Sequence, residues 1–312
     1  MKIVFAGTPS FAVAPLQQLI EKGYEIVGVV TQEDKPQGRK GILTPPPVKV
    51  AALGAGIKVL QPKKIKEEMG SVKALGGDIL VTCAYGQILT QAVLDAFPLG
   101  VWNVHAGLLP QYRGASPIQS CLLNGEKETG VCIMRTELGL DTGDVLVCKK
   151  TEILPSETYG ELSERLSLLG AEALLEGFAL IEKGEIRLTP QKEEGVCVVK
   201  KIAADAGKLD FSSYRQTIVN TVRAFNPEPT AFAYLNGARV NILRAEGVEL
   251  PAGAESAVCG EILSEKPKQG LIVKCGDGAV KILELQPAGG KKMSGGDFLN
   301  GRKGEKGQVF SC

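Results

Sequence analysis

The sequence predicts an α/β chain: a doubly wound, Rossmann-like first domain followed by a smaller, OB-like β-barrel domain. Three observations carry this. The runs "KIVFAG", "YEIVGVV", "DILVTCAYG" and "VWNVHA" are dominated by apolar residues, the first without alternation, and alternate with helical patterns. Strands buried on both faces read this way, as in a parallel sheet covered by helices on both sides. Beyond about residue 200 the texture changes to short strands at close spacing, divided by Gly, Pro and Asp turns, the pattern of a small antiparallel barrel. A length of 312 residues also suits about two domains.

"KIVFAG" is read as the first strand. "SFAVAPLQQLIEKG" follows as a helix, with Ser10 as N-cap and Gly23 as its stop. "YEIVGVV" is the second strand; "DILVTCAYG" and "VWNVHA" are two more. A long helix covers "TYGELSERLSLLGAEALLEGFALIEKG", where Thr158 and Glu161 have capping-box spacing and Leu162, Leu166, Leu169 and Ala173 share a face. The pattern then loosens, so residues 187–206 are expected to be a linker between a domain at 1–186 and one at 207–312. In the second domain, "SSYRQTIVNTVRAF" is a short helix with Ile218, Val222 and Phe225 on one face. "TAFAYL", "ARVNILRAE", "CGEILSE", "GLIVKCG" and "AVKILELQ" supply five strands.

Composition narrows the function by exclusion. With 36 Lys+Arg against 35 Asp+Glu, the chain does not advertise itself as a nucleic-acid binder, although a local basic patch is compatible with that balance. Eight cysteines without a C-x-x-C pair, and a single histidine, argue against a zinc cluster; no metal is expected, and the thiols are expected to be mostly buried and free in a reducing cytoplasm. The apolar run at the N-terminus covers only residues 3–6 before Gly7-Thr8-Pro9 breaks it, too short for a signal peptide. No apolar run approaches a membrane span. The turn "FAGTPSFA" is not G-x-G-x-x-G, and the chain has neither a P-loop nor a G-x-S-x-G elbow.

His105, the one imidazole, closes "VWNVH". Side chains two apart in a strand share a face, so Asn103 and His105 stand together where an open α/β sheet binds ligands, at the carboxyl end of its strands. An amide and an imidazole there can hold a developing oxyanion. A carboxylate nearby would favour the charged imidazole, and "ELGLDTGD" offers two, Asp141 and Asp144. The segment "QEDKPQGRKGILTPPP" is long for a strand–helix connection and carries Lys35, Arg39 and Lys40.

"NVHAGLLPQYRGASPIQ" followed by "LGLDTGD" resembles the signature of the folate-dependent formyltransferases, in which an Asn, a His two residues later and an Asp in an L-D-x-G turn perform catalysis. "FAGTPSFA", "DKPQGRKGILTPPPVKV", "AYGQIL", "RAFNPEP" and "LQPAGGKKMSGGDFLNG" extend the resemblance over nearly the whole chain, toward the branch that acts on methionyl-tRNA. The resemblance implies transfer of a formyl group from 10-formyltetrahydrofolate to the α-amine of methionyl initiator tRNA. Asn103 and a protonated His105 would bind the oxyanion, and Asp141 would keep His105 charged and accept a proton. It further implies a folate site at Ile88, Leu89, Gly107, Leu108, Leu109 and Pro110, a tRNA contact through Lys35, Arg39 and Lys40, and a cytoplasmic monomer. Two alternatives stay open: a small amine as acceptor, a ribonucleotide or sugar nucleotide, and an RNA-binding module without activity. The chain departs from the family pattern at Ala106-Gly107, where Gly-Ser is usual, and at Glu228, where Trp is usual.

Overall fold

The computed structural model describes residues 1–38, 41–301 and 303–312. It divides into two compact units. The first comprises Met1–Pro117, Glu128–Glu152 and Ser163–Val199, and the second Ile118–Lys127, Ile153–Leu162 and Lys200–Cys312.

Among the described residues, the first unit is built on a seven-stranded sheet. Its strands are β1 (Lys2–Gly7), β2 (Glu25–Val30), β3 (Val59–Leu60), β4 (Ile79–Cys83), β5 (Val101–His105), β6 (Glu128–Arg135) and β7 (Val145–Glu152). They lie in the order β7-β6-β5-β4-β1-β2-β3. β1 through β5 are mutually parallel. The chain runs outward from β1 to β3, then crosses to β4 on the other side, so the strand order reverses between β1 and β4. The doubly wound expectation is met, and the reversal places a ligand crevice at the carboxyl ends of these strands. Ile3, Val4, Phe5 and Ala6 are all fully buried, which explains why β1 is apolar without alternation. Gly7 ends it because a Cβ there would lie 2.8 Å from the Ala12 Cβ and 3.1 Å from the Cys83 carbonyl oxygen.

Three features differ from expectation. β6 and β7 form an antiparallel hairpin at the sheet edge; in β7 buried Val147 is followed by exposed Cys148, the alternation of a strand with one wet face. Cys148 stands opposite Cys132 in this hairpin, and the two form a disulfide. Of the remaining cysteines, Cys83, Cys121 and Cys275 are buried while Cys197, Cys259 and Cys312 are exposed. In the first helical segment, Ser10 does not cap: a 3₁₀ turn at Ser10–Ala12 precedes α1 (Val13–Glu21), and no side chain caps either.

α2 (Pro47–Gly54) and α3 (Pro117–Leu123) come next among the longer helices, and α4 (Tyr159–Lys183) carries the capping box read from the sequence. The Thr158 backbone N–H donates to Glu161 Oε2 at 2.9 Å, and the Glu161 N–H to Thr158 Oγ1 at 3.4 Å. Leu162, Leu166 and Ala173 are fully buried.

The second unit contains α5 (Arg215–Ala224) and an antiparallel sheet with strands β8 (Ala231–Leu235), β9 (Ala238–Val248), β10 (Leu271–Cys275), β11 (Gly278–Pro287) and β12 (Phe310–Ser311). The order is β10-β11-β9-β8-β12. The sheet curls until its two edges meet through one segment: Glu261 bridges Val309 and Ile262 bridges Val273. The third expected strand, "CGEILSE", is thus this short closing piece. Ile218 and Val222 of α5 join Ala233, Ile242, Val273, Ile282, Phe298 and Phe310 in the barrel core. Segments from the first half of the sequence belong to this unit by specific bonds. Asn220 Nδ2 donates to the Leu123 carbonyl at 3.3 Å, the Arg223 guanidinium to the Leu154 and Pro155 carbonyls, and the Gly160 N–H to the Asn226 carbonyl at 3.0 Å.

Candidate active site

Asn103 and His105 end β5, and Thr82 of β4 pairs in register with Asn103. Thr82 Oγ1 donates to Asn103 Oδ1 at 2.8 Å. That bond uses the oxygen end of the amide and fixes which way it faces, leaving the NH₂ group as the end turned to other partners. Thr82 was not singled out from the sequence. Its one available signal was a lone hydroxyl in "ILVTC", legible only once the register against β5 is known.

His105 is 4% exposed. Its Nε2 lies 3.1 Å from the Tyr112 carbonyl oxygen; a carbonyl only accepts, so Nε2 carries the proton. Nδ1 faces Asp141 Oδ2 at 3.6 Å. Burial pushes the imidazole below its ordinary range, and this outweighs the opposing pull of the Asp141 carboxylate and the Tyr112 carbonyl. With the Nε2 proton on the Tyr112 carbonyl, Nδ1 is the ring nitrogen turned to Asp141. The Asp141 carboxylate pulls the imidazole upward, and burial acts against it, a cost that a register argument cannot weigh.

Asp141 sits in the turn between β6 and β7 with φ of +52°, a left-handed conformation that Asp tolerates better than most residues. Its Oδ2 accepts the Gly114 N–H at 2.8 Å. Of the two candidate carboxylates, Asp141 is the one beside His105. Asp144 instead immediately precedes the return strand, where its carbonyl accepts the Arg135 N–H at 2.9 Å.

The folate residues expected from the resemblance all follow the carboxyl ends of β4 and β5. Ile88, 90% exposed, and half-buried Leu89 lie in the loop after β4. Gly107, Leu108, Leu109 and Pro110 follow β5, with Leu109–Pro110 a cis peptide. A Cβ on Gly107 would stand 3.1 Å from His105 Nε2 and 3.3 Å from Pro117 Cβ, so a serine there would press on the imidazole. Lys35 is exposed, at the start of a small hairpin of Lys35–Gln37 with Ile42–Thr44. Arg39 and Lys40 lie outside the described residues.

Gln191 was also missed, inside the stretch expected to be a linker. Its Nε2 donates to the Asp141 carbonyl at 2.9 Å and the Gly143 carbonyl at 2.7 Å, and its Oε1 accepts from Arg113 Nε and Nη2 at 2.9 and 2.8 Å. Nothing in "LTPQKEEG" marks it. Among the described residues no group of three or more His, Cys, Asp and Glu side chains can hold a metal ion, and no helix is long and apolar enough to cross a membrane.

Comparison with known proteins adds independent findings. The formyl transferase family model matches residues 1–177, and that of the formyl transferase C-terminal domain residues 201–303. A methionyl-tRNA formyltransferase of Xanthomonas campestris is 45% identical over 307 residues, covering 97% of this chain and 98% of that protein. One from Neisseria gonorrhoeae is 43% identical over 311 residues, covering 98% and 99%. Among solved structures, HypX from Aquifex aeolicus in complex with tetrahydrofolic acid superposes with a TM-score of 0.68 at 19% identity, covering 98% of this chain and 48% of that one; at that identity the likeness concerns the fold. With both family models and near full-length relatives in agreement, the chain belongs to the formyl transferase family, among its methionyl-tRNA formyltransferases.

Proposed function

We propose that Asn103, His105 and Asp141 carry out the reaction of this family here, the transfer of a formyl group from 10-formyltetrahydrofolate to the α-amine of methionyl initiator tRNA. The observation that carries this reading is the buried imidazole with Nδ1 turned to a carboxylate, two strand positions from an amide whose oxygen end is held by Thr82. The folate donor supplies the formyl carbon as electrophile and departs as an amine. Asn103 donates its N–H to the formyl oxygen as negative charge builds there, a contact whose loss typically costs about 2.7–4 kcal/mol of barrier. His105 Nδ1 and Asp141 together accept the proton that the attacking amine gives up, directly or across a water. The imidazolium formed is stabilised by Asp141 at the moment it appears, so the carboxylate acts on the transition state more than on the resting enzyme. Proton return to the departing amine uses the same pair.

The residues fit a folate. Ile88 and Leu89 offer apolar surface, Gly107 keeps the flank of His105 clear, and Leu108 rests on Gly130, where a Cβ would come within 2.6 Å of it. Lys35, Arg39 and Lys40 are assigned to the acceptor arm of the tRNA, where Arg grips phosphate or stacks on a base. The reading takes the chain as a monomer working in the cytoplasm, and its domains as 1–186 and 207–312, with residues 187–206 between them.

The test is an assay of purified protein with the folate donor and methionyl initiator tRNA, free methionine or a small ribonucleotide amine as acceptor. Formylation of the charged tRNA in preference to both small amines is expected. Equal or faster use of a small amine would overturn the acceptor assignment, and no consumption of the donor would overturn the enzymatic one.

A further inference from the structure

We infer that residues 189–199 are a positioning strap for the catalytic aspartate, with Gln191 as the side chain that sets the Asp141 turn. The inference rests on the reading of Asp141 as catalytic and adds a residue to it.

The strap is attached at three places within the first unit. At its start, Thr189 pairs with Val145, their N–H and carbonyl groups exchanging bonds of 2.8 and 2.9 Å at the foot of β7. At its end, Val198–Val199 lie parallel to Arg113–Gly114; the Arg113 N–H donates to the Cys197 carbonyl at 2.8 Å and the Ala115 N–H to the Val199 carbonyl at 3.0 Å. Between these, Gln191 reaches both sides of the site.

Two of these attachments hold groups that touch His105 and Asp141. Residues 112–114 supply the carbonyl that fixes His105 Nε2 and the N–H that holds Asp141 Oδ2. The strap sits so close to them that a Cβ on Gly114 would fall 2.2 Å from the Val199 carbonyl oxygen. Gln191 grips the carbonyls of Asp141 and Gly143, on either side of the turn that presents the carboxylate. The Arg113 fork, bonded twice to Gln191 Oε1, locks the amide so that its NH₂ faces the turn. An amide is suited to this place because one end must donate twice and the other must accept twice; glutamate can only accept and lysine can only donate. The left-handed backbone at Asp141 has other conformations open to it, and these bonds select one.

Gln191→Glu separates the two duties. The carboxylate keeps Arg113, more strongly than before, and loses both donors to the turn. The experiment compares wild type, Gln191→Glu, Gln191→Leu and Asp141→Asn in the full chain, measuring kcat, the KM for folate and for methionyl-tRNA, melting temperature, and the pH titration of the single histidine by NMR. The proposal expects both Gln191 variants to lose tenfold or more in kcat per folded molecule. The folate KM should stay within about threefold, and the His105 midpoint should move in the direction seen in Asp141→Asn. Wild-type kcat in Gln191→Glu overturns the strap, as does a loss that only follows the folded fraction with an unmoved histidine titration. If Asp141→Asn itself keeps wild-type kcat, the catalytic reading of Asp141 fails instead, and the two failures are distinguished.

Discussion

Replacing Asn103 by Asp keeps the shape of the side chain and removes its only donors. Thr82 Oγ1 already occupies Asn103 Oδ1 at 2.8 Å, so in the native protein the amide has one useful end, and the account gives that end to the formyl oxygen. Asp still accepts from Thr82, so the local bond survives, but it presents an acceptor, and a negative charge, to an oxygen that is becoming negative. Losing one oxyanion donor corresponds to about 2.7–4 kcal/mol, or roughly a 10²–10³-fold fall in kcat. The neutral carbonyl of the bound donor gains little from the same contact, so the folate KM should rise less than about fivefold, by the distinction between ground-state and transition-state binding. Asn103→Ala should fall to a similar level, since both variants lack the donor. The assay is steady-state formylation of methionyl-tRNA with each substrate varied in turn. A purely steric role for Asn103 would leave Asp active and Ala impaired. Retention by Asn103→Asp of more than about a tenth of the wild-type kcat refutes the donor assignment.

Thr82→Val removes the bond that orients the amide, about 1 kcal/mol; kcat should drop about fivefold and Thr82→Ser should restore it, checked by the same kinetics. Arg39→Ala should raise the KM for methionyl-tRNA and leave folate binding near wild type; the slope of log affinity for tRNA against log salt should shrink by about one unit or less. Arg223→Ala removes a buried side chain and its hydrogen bonds to the Leu154 and Pro155 carbonyls; a cost of about 2 kcal/mol would lower the melting temperature by roughly 4–8 °C, read by calorimetry, with kcat of the folded protein unchanged.

The elements legible in the sequence were those whose burial pattern is local. β1 read as a strand because it is apolar on both faces, and β5 because it is a short run rich in valine and tryptophan. The Thr158–Glu161 box marked the start of α4, and Ile218, Val222 and Phe225 marked the buried face of α5. The pairing of Asn103 with His105 followed from strand alternation alone. What stayed hidden depends on partners far along the chain. In the β6–β7 hairpin β6 is buried continuously and only the edge strand β7 has a wet face, so its antiparallel pairing is set by the partner strand rather than by local pattern. Thr82 has meaning only through its register with Asn103. Gln191 acts from a stretch without periodicity, because its partners are the backbone carbonyls of a turn some 50 residues earlier. The boundary expected at 186–207 was blurred for the same reason: residues 189–199 are bonded into the first unit, while 118–127 and 153–162 are bonded into the second.

The protonation state of His105 tests the central claim most directly, and a chain with one histidine yields one imidazole signal to follow. Buried and opposed only in part by Asp141, His105 should titrate below the 6.5 of a free imidazole, be neutral at pH 7, and move lower still in Asp141→Asn. Because its folded value lies below its unfolded one, the stability it contributes is present above pH ~6.5 and is lost as pH falls through the folded midpoint. kcat should decline over the same interval as the base at Nδ1 becomes protonated. A midpoint below 6.5 that coincides with the acid limb of kcat is the predicted result. An imidazole still charged at pH 7, with a midpoint that does not respond to Asp141→Asn, would contradict the account and leave His105 without its assigned role.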